Sequence, residues 1–339
     1  MRIAYIGSQS GTSLQRAKAL KRLGHTVTLI GPWEWLARST LRARLHFHTG
    51  YFGVDHLIKS KLVKEVLASQ PDLIWVNQGE FLGPVSVQAL RGLGVSLVNY
   101  ANDNPFSVEN RKRFSNYRAA LPYYDLVVVL FAEAVEAAKR AGARRVIRQF
   151  HSADEVAHLQ QLAVVDADAG DRSEAAFVGT WMKEHRGAFV AELIRYGLPL
   201  SVWGDQWQKA KEWPIVRPHW RGPGVYDNRG YAQIIRGAKI CLGLVNKASG
   251  NLHTDRSIQI PALGSLLCAE RTSEHLALYK EGEEAVFWSD AEECAAQCKE
   301  LLADEPRRQE IARRGHERAI RNNLFNEPVL ASILEQVPQ

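Results

Sequence analysis

Short apolar runs separated by longer amphipathic stretches set the rhythm of the chain. In the first half the runs are RIAYIG, TVTLIG, DLIWVN, VSLVNY, DLVVVL and RVIRQF, all rich in β-branched and aromatic side chains. Between most of them lie segments with helical spacing, such as KSKLVKEVLASQ and VSVQALRGLG. Nearly continuous apolar strands that alternate with helices predict an α/β fold, with a parallel sheet covered on both faces.

Residues 157–173, AHLQQLAVVDADAGDRS, break this rhythm and end in a polar, acidic stretch that reads as a linker. A second series follows: AAFVGT, LSVWGD, KICLGLV, GSLLCAE and EAVFWSD, spaced by helical segments such as GAFVAELIRYG and YAQIIRGA. The pattern therefore predicts two Rossmann-like domains facing a central cleft, one over residues 1–160 and one over 174–315. Residues 316–339 form a C-terminal helical segment, with a break near Pro328, that returns to the N-terminal domain. Open α/β sheets bind ligands beyond the carboxyl ends of their strands, so the residues just after each strand carry the functional information.

Composition narrows the class. A chain of 339 residues exceeds what one core usually serves. With 46% hydrophobic and 24% charged residues it reads as a soluble globular protein. No apolar run is long enough for a membrane span, and MRIAYIG enters a strand without the pattern of a signal peptide. Four cysteines suggest reduced thiols and a cytoplasmic setting. Cys294 and Cys298 lie four apart on a predicted helix and read as core. The net charge of +6 suits a polyanionic ligand or an anionic membrane face. Without a nucleic-acid motif it does not point to nucleic acid.

The first strand runs into GSQSGTS. Gly7-x-x-x-Gly11 is neither a dinucleotide fingerprint nor a P-loop. The second strand ends in Gly31-Pro32, with no acidic residue for a ribose, which disfavours a nicotinamide enzyme. Two readings stay open. One is a tight turn packed on the first helix; the other has backbone N–H groups near Gly11 and Thr12 approaching a phosphate or sugar. In the second half, one strand ends at Gly179 and is followed by Lys183 and Arg186. Another ends at Gly204-Asp205. The stretch NKASGNLHTDRSIQIPALGSLL supplies Arg256 and Gln259 before Gly264. A diphosphate calls for fixed, fork-shaped cations, which Arg186 and Arg256 supply. Gln259 offers both a donor and an acceptor to a ribose. The alternative for each arginine is a solvated surface charge.

Taken in order, QPDLIWVNQGEFL, NYANDNP, YYDLVVVL, GARRVIRQFHSAD, AAFVGTW, LSVWGDQW and DRSIQIPALGSLLCAERTSEHLALYKEGEEAVFWSD resemble the two-domain GT-B glycosyltransferases. The chain is most similar to the spore-maturation, CgeB-type enzymes, relatives of glycosyltransferase family four. The resemblance covers nearly the whole chain. It implies that a nucleotide-diphosphate sugar, dTDP- or UDP-linked, docks on the C-terminal domain and an acceptor on the N-terminal one. The implied donor set is Gly179, Lys183, Arg186, Gly204, Asp205, Asn251, Asp255, Arg256 and Gln259, with Gly11 and Thr12 opposite. Family-four enzymes carry a Glu-x7-Glu motif at positions that fall on Asn251 and Gln259, so amides stand where the resemblance implies carboxylates. No Asp-x-Asp is present, and the resemblance implies transfer without a tightly bound cofactor or metal. His46 and His48 are a weak metal alternative.

Transfer with inversion needs a general base near the acceptor. Asp103 in NYANDNP follows a strand and is the first candidate, against the alternative of a turn-capping Asp. Glu80 in NQGEF and His151 in FHSAD are further candidates. The family-four resemblance implies retention instead. Residues 32–45, with Trp33, Trp35, Arg38, Arg42 and Arg44, suit either peripheral contact with an anionic membrane or a frame around the acceptor. Two other classes stay open: a non-catalytic nucleotide-sugar-binding protein, and a sugar-nucleotide epimerase or hydrolase of this fold.

Overall fold

The computed structural model describes residues 1–36, 49–164 and 172–338. The chain divides into two compact units. The first comprises Met1–His151, Ala248–Gly250 and Asn326–Gln339; the second comprises Ser152–Lys247 and Asn251–Phe325.

The N-terminal unit is built on a six-stranded, all-parallel sheet in the order β2-β1-β3-β4-β5-β6. Its strands are β1 (Arg2–Ile6), β2 (Thr26–Ile30), β3 (Leu73–Asn77), β4 (Ser96–Ala101), β5 (Leu126–Val129) and β6 (Val146–Arg148). Every residue of β3 and β5 is buried, as expected of strands covered on both faces. The order reverses between β1 and β3, and such a switch point leaves a crevice at the carboxyl ends of the two strands.

The second sheet is also six-stranded and parallel, in the order β12-β11-β10-β7-β8-β9. Here β7 is Ser173–Val178, β8 Leu200–Trp203, β9 Trp220–Gly222, β10 Ala238–Gly243, β11 Leu266–Glu270 and β12 Val286–Trp288. Its switch point lies between β7 and β10. The core on one side of this sheet gathers Phe189, Leu193, Trp207, Trp288, Cys294 and Leu301. The face-to-face pair of Phe189 and Trp288, 4.3 Å between ring centres, fastens the covering helix Arg186–Arg195 to β12. The helix Ala291–Ala303 contributes Cys294 and Leu301 to the same core.

The alternation of strand and helix is as the apolar pattern predicts, with three differences. Strand β9 has no signature of its own: three residues, only partly buried, at a sheet edge. The start of the expected linker is ordered, with helical turns at Glu155–Leu159 and Gln161–Val164. The C-terminal break falls at Asn323, whose φ of 53° is left-handed, and not at Pro328. The last helix, Asn326–Leu334, starts before Pro328, where a missing N–H in the first turn costs nothing. This helix packs on the first one, Gly11–Arg22, and Glu327 pairs with Arg22.

Cys294 and Cys298 are buried, as core thiols would be, and Cys268 of β11 joins them, its sulfur 3.6 Å from that of Cys298. Among the described residues no helix is long and apolar enough to cross a membrane. His46, His48, Arg38, Arg42 and Arg44 lie outside the described residues.

Candidate functional site

Each switch point carries a cavity. In the C-terminal unit a cavity of about 190 Å³ opens where β7 and β10 end, lined by Val178, Gly179, Arg186, Leu244, Asp255 and Arg256, among others. Gly179 follows β7 directly, and the chain beyond β8 presses on it. Gly204 has a φ of +146°, and a Cβ there would stand 2.0 Å from the Gly179 carbonyl oxygen. Gly204 is thus needed for the close approach of two strand ends, while a Cβ on Gly179 would meet the Phe177 ring at 2.7 Å.

Arg186 opens the helix that follows β7 and is 8% exposed. Its Nη1 donates to the Thr180 carbonyl over 2.7 Å, and its guanidinium lies 5.6 Å from the Phe177 ring centre. Among the described residues its Nε has no hydrogen-bond partner. Burial lowers its pKa to about 10; Glu184 opposes the shift and Arg256 adds to it. Arg256 sits in the first turn of the helix Asp255–Ala262, at the other wall of the cavity. It stacks over Tyr231 at 4.5 Å, and its Nε donates to the Val178 carbonyl at 3.3 Å. Two guanidiniums are therefore held, at a cost, beside one small cavity and one helix N-terminus. Such an arrangement favours an anion.

That N-terminus is built by residues with no signal in the sequence reading. Ser257 Oγ accepts from the Thr254 N–H at 3.0 Å and lies 2.7 Å from His275 Nε2. His275 Nδ1 lies 2.6 Å from the Glu270 carbonyl oxygen. A carbonyl only accepts, so Nδ1 carries the proton, Nε2 accepts, and the Ser257 hydroxyl donates to it. Burial lowers the His275 pKa, which keeps this relay in its neutral form. Tyr279 adds a hydrogen bond from its hydroxyl to the Ser257 carbonyl at 2.9 Å.

The other residues of the implied donor set are placed as follows. Gln259 is 3% exposed and accepts from Arg256 Nη1, without lining the cavity itself. The Asn251 N–H donates to the Asn246 carbonyl at 3.1 Å. Lys183 is exposed and away from the cavity lining. Asp205 accepts from the Tyr226 hydroxyl and from the Gly224 N–H, and these two bonds lower its pKa. It thereby ties down the loop after β9.

The N-terminal unit has a larger cavity, about 510 Å³, where β1, β3 and β4 end. Gly7, Gly11 and Thr12 line one side of it. A Cβ on Gly7 would come within 2.8 Å of the Tyr5 ring and 2.7 Å of Ser13 Oγ, so the tight-turn reading of this glycine holds. On the other side Arg113 spans two carboxylates, at 2.8 Å from Asp103 and 3.0 Å from Glu80. Burial works against its charge, but Glu80 and Asp103 outweigh burial and raise its pKa. The Gln78 side chain completes the ring. Its Nε2 donates to Asp103 at 2.7 Å, and its Oε1 accepts from the Asn102 N–H at 2.8 Å. The turn in NDNP is capped by Asn104, whose Oδ1 accepts from the Phe106 N–H at 3.1 Å. The Asp103 carboxylate faces the cavity instead. His151 is 7% exposed and set edge-on to Phe131 at 6.2 Å, away from the cavity lining. The short helix Pro32–Leu36 puts Trp33 in the cavity wall, while Lys61 stacks on Trp35 at 4.2 Å.

Comparison with known proteins bears on both units. Residues 185–329 match a family described as glycosyl transferase-like, a span that holds both Arg186 and Arg256. HepE from Anabaena, solved with UDP and glucose, superposes with a TM-score of 0.68 at 14% identity, covering 99% of this chain and 100% of that one. Sucrose-phosphate synthase from Thermosynechococcus elongatus superposes at 0.66 and 14% identity, with 98% and 97% covered. The α,α-trehalose 6-phosphate synthase from Burkholderia multivorans gives 0.66 at 15%, with 98% of each chain covered. The fold is GT-B. No curated protein matches the sequence. At these identities the GT-B likeness speaks for the architecture alone, and the chemistry rests on the two cavities.

Proposed function

We propose that the protein is a glycosyltransferase that moves a sugar from a nucleotide-diphosphate donor to an acceptor hydroxyl. The observation that carries this is the pair Arg186 and Arg256, set beside one cavity at the β7/β10 switch point and the N-terminus of the helix Asp255–Ala262. Loss of the leaving diphosphate builds negative charge, and preorganised guanidiniums and helix N–H groups stabilise it without reorganising. Among relatives in fold, HepE has been solved with UDP and glucose and with UDP-glucose, which supports a nucleotide sugar as the ligand.

In this reading the donor lies on the C-terminal unit, the acceptor on the N-terminal unit, and the two arginines supply the positive charge of a metal-independent transfer. A hexose is the transferred group, in keeping with the resemblance of the sequence to the CgeB-type enzymes. Asp103, or Glu80 beside it, takes the acceptor proton if configuration inverts.

A second reading, a nucleotide-sugar-binding protein without turnover, is favoured by one observation. Gln259 stands where a carboxylate is implied, and its oxygen is already held by Arg256. Two measurements separate the readings. Calorimetry with UDP, dTDP, GDP and ADP tests the anion site; hydrolysis of the corresponding nucleotide sugars tests turnover. Binding with turnover supports the transferase. Binding without turnover, with or without added acceptors, supports the second reading. No binding of any nucleotide removes both.

A further inference from the structure

The N-terminal cavity has a chemistry distinct from that of the donor site. The charged groups lining it among the described residues are Glu80, Asp103 and Arg113, one cation against two anions. Both terminal nitrogens of Arg113 are engaged, Nη1 by Asp103 and Nη2 by Glu80. Beneath the cavity, Arg16 is 2% exposed, donates to Asn77 at 3.1 Å and stacks over Tyr100 at 4.4 Å. The cations here are spent inside the protein. Trp33, Tyr51 and Phe81 make a continuous aromatic wall, with edge-to-face contacts at 6.3 and 5.9 Å.

We propose that this cavity is the acceptor site and that it takes an uncharged sugar residue, not a phosphorylated sugar or a lipid phosphate. The proposal rests on the donor assignment made above. At about 510 Å³ the cavity falls within the range that small ligands occupy. A pyranose presents a flat C–H face and a rim of hydroxyls. The aromatic wall fits the face, while the Glu80 and Asp103 carboxylates accept from hydroxyls. A phosphate fits poorly. It would bring charge beside two carboxylates, and Arg113, the one cation lining the cavity among the described residues, is already held by them, so that only the N–H groups at the start of the helix Gly11–Arg22 would be left to oppose the repulsion. Two residues of the lining, Tyr51 and Gln78, hold left-handed backbones, at φ of 60° and 68°. Non-glycine residues adopt this conformation at a cost, and such strain gathers where side chains must be aimed at a ligand.

The test uses the full chain with UDP as the nucleotide probe. Methyl glycosides of common hexoses and N-acetylhexosamines, and the matching hexose 1- and 6-phosphates, are titrated by saturation-transfer NMR with and without UDP. At least one neutral glycoside should bind tenfold or more tightly than its phosphates. Trp33→Ala should weaken that glycoside at least tenfold and leave UDP affinity unchanged, and Trp33→Phe should restore most of the loss. Phosphates that bind as well as the neutral sugars would overturn the proposal. So would the absence of glycoside binding, or full binding by Trp33→Ala. A wild-type protein that binds glycosides but no UDP would defeat the donor assignment, and the acceptor role with it, while leaving a sugar pocket.

Discussion

Arg256 Nη1 donates to the side-chain oxygen of Gln259, which lies three residues further along the same helix. The amide has a single acceptor oxygen, and this contact takes one of its two lone pairs. What Gln259 still offers a ribose is one lone pair and its two N–H donors, so it can accept from only one hydroxyl. A Glu at this position would bind Arg256 with one oxygen and keep the other whole for the ribose hydroxyls. The protein should therefore bind dTDP at least as tightly as UDP, and Gln259→Glu should shift the preference toward UDP. Calorimetry at equal ionic strength decides the matter. UDP binding tenfold tighter in the wild type, about 1.4 kcal/mol, would sink the idea.

Arg186 is kept buried next to another guanidinium, with its pKa depressed to about 10 by burial above all. A buried charge of this kind costs folding energy in the ligand-free state, and an anion returns it on binding. Arg186→Met should thus leave the ligand-free protein as stable as the wild type, or raise its unfolding free energy by about 1 kcal/mol. The same change should weaken nucleoside diphosphate binding roughly 10- to 100-fold, the loss of about 1.5–3 kcal/mol from a charged hydrogen bond. Thermal scans with and without UDP read both effects. A variant that is less stable and still shows the full UDP-induced shift would make Arg186 a structural residue.

Much of this site was legible before the fold was known. The strand ends at Gly179 and Gly204 are marked by glycines after apolar runs, and Arg186 and Arg256 follow such ends at helix starts. What stayed hidden depends on distant partners. Ser257 and His275 are 18 residues apart and meet only because β11 returns beside the helix Asp255–Ala262. Arg113 lies in a segment without periodicity, and nothing local says that it will span Glu80 and Asp103. Strand β9 was invisible because three half-exposed residues carry no alternation. Lys183 shows the reverse: a cation in the expected stretch of sequence that the turn leaves exposed, away from the cavity lining.

Asp103 is positioned by Arg113 and Gln78, so its removal tests two roles at once. If it takes the acceptor proton, Asp103→Asn should keep nucleotide affinity and lower turnover by roughly 10²–10⁴. If it serves to hold Arg113, an Asn that still accepts from the guanidinium should turn over at near the wild-type rate. Arg113→Met should then be the more damaging change, since it leaves two carboxylates unpaired. Single-turnover kinetics with the best donor found by hydrolysis separate the outcomes. A large fall in nucleotide affinity for Asp103→Asn would contradict both roles.

His158 gives the fold a dependence on pH with a definite sign. The residue is 3% exposed, set edge-on to Tyr231 at 6.1 Å, and its Nδ1 lies 2.9 Å from the Asp154 backbone nitrogen. Burial lowers its pKa to about 4; Asp154 opposes the shift and Arg256 adds to it. In the unfolded chain a histidine takes up its proton near pH 6.5. Between about 6.5 and 4 the unfolded state therefore binds more protons than the folded one. Stability must fall as the pH falls through that window, and is fully present above it. The contribution is at most about 3 kcal/mol. His25, His185 and His275 are shifted in the same direction, so the total slope is shared. The carboxylates of Asp72 and Glu310, held near 2 by Arg2 and by Arg313, lose their contribution as the pH falls from about 4.5 toward 2, and so overlap only the acid end of this window. The part due to His158 is the difference between the wild type and His158→Gln in urea midpoints from pH 7.5 to 4.5. The variant should start less stable and lose less on acidification, so that the two curves converge. Parallel curves would mean that His158 takes up its proton in the folded protein as readily as in the unfolded chain.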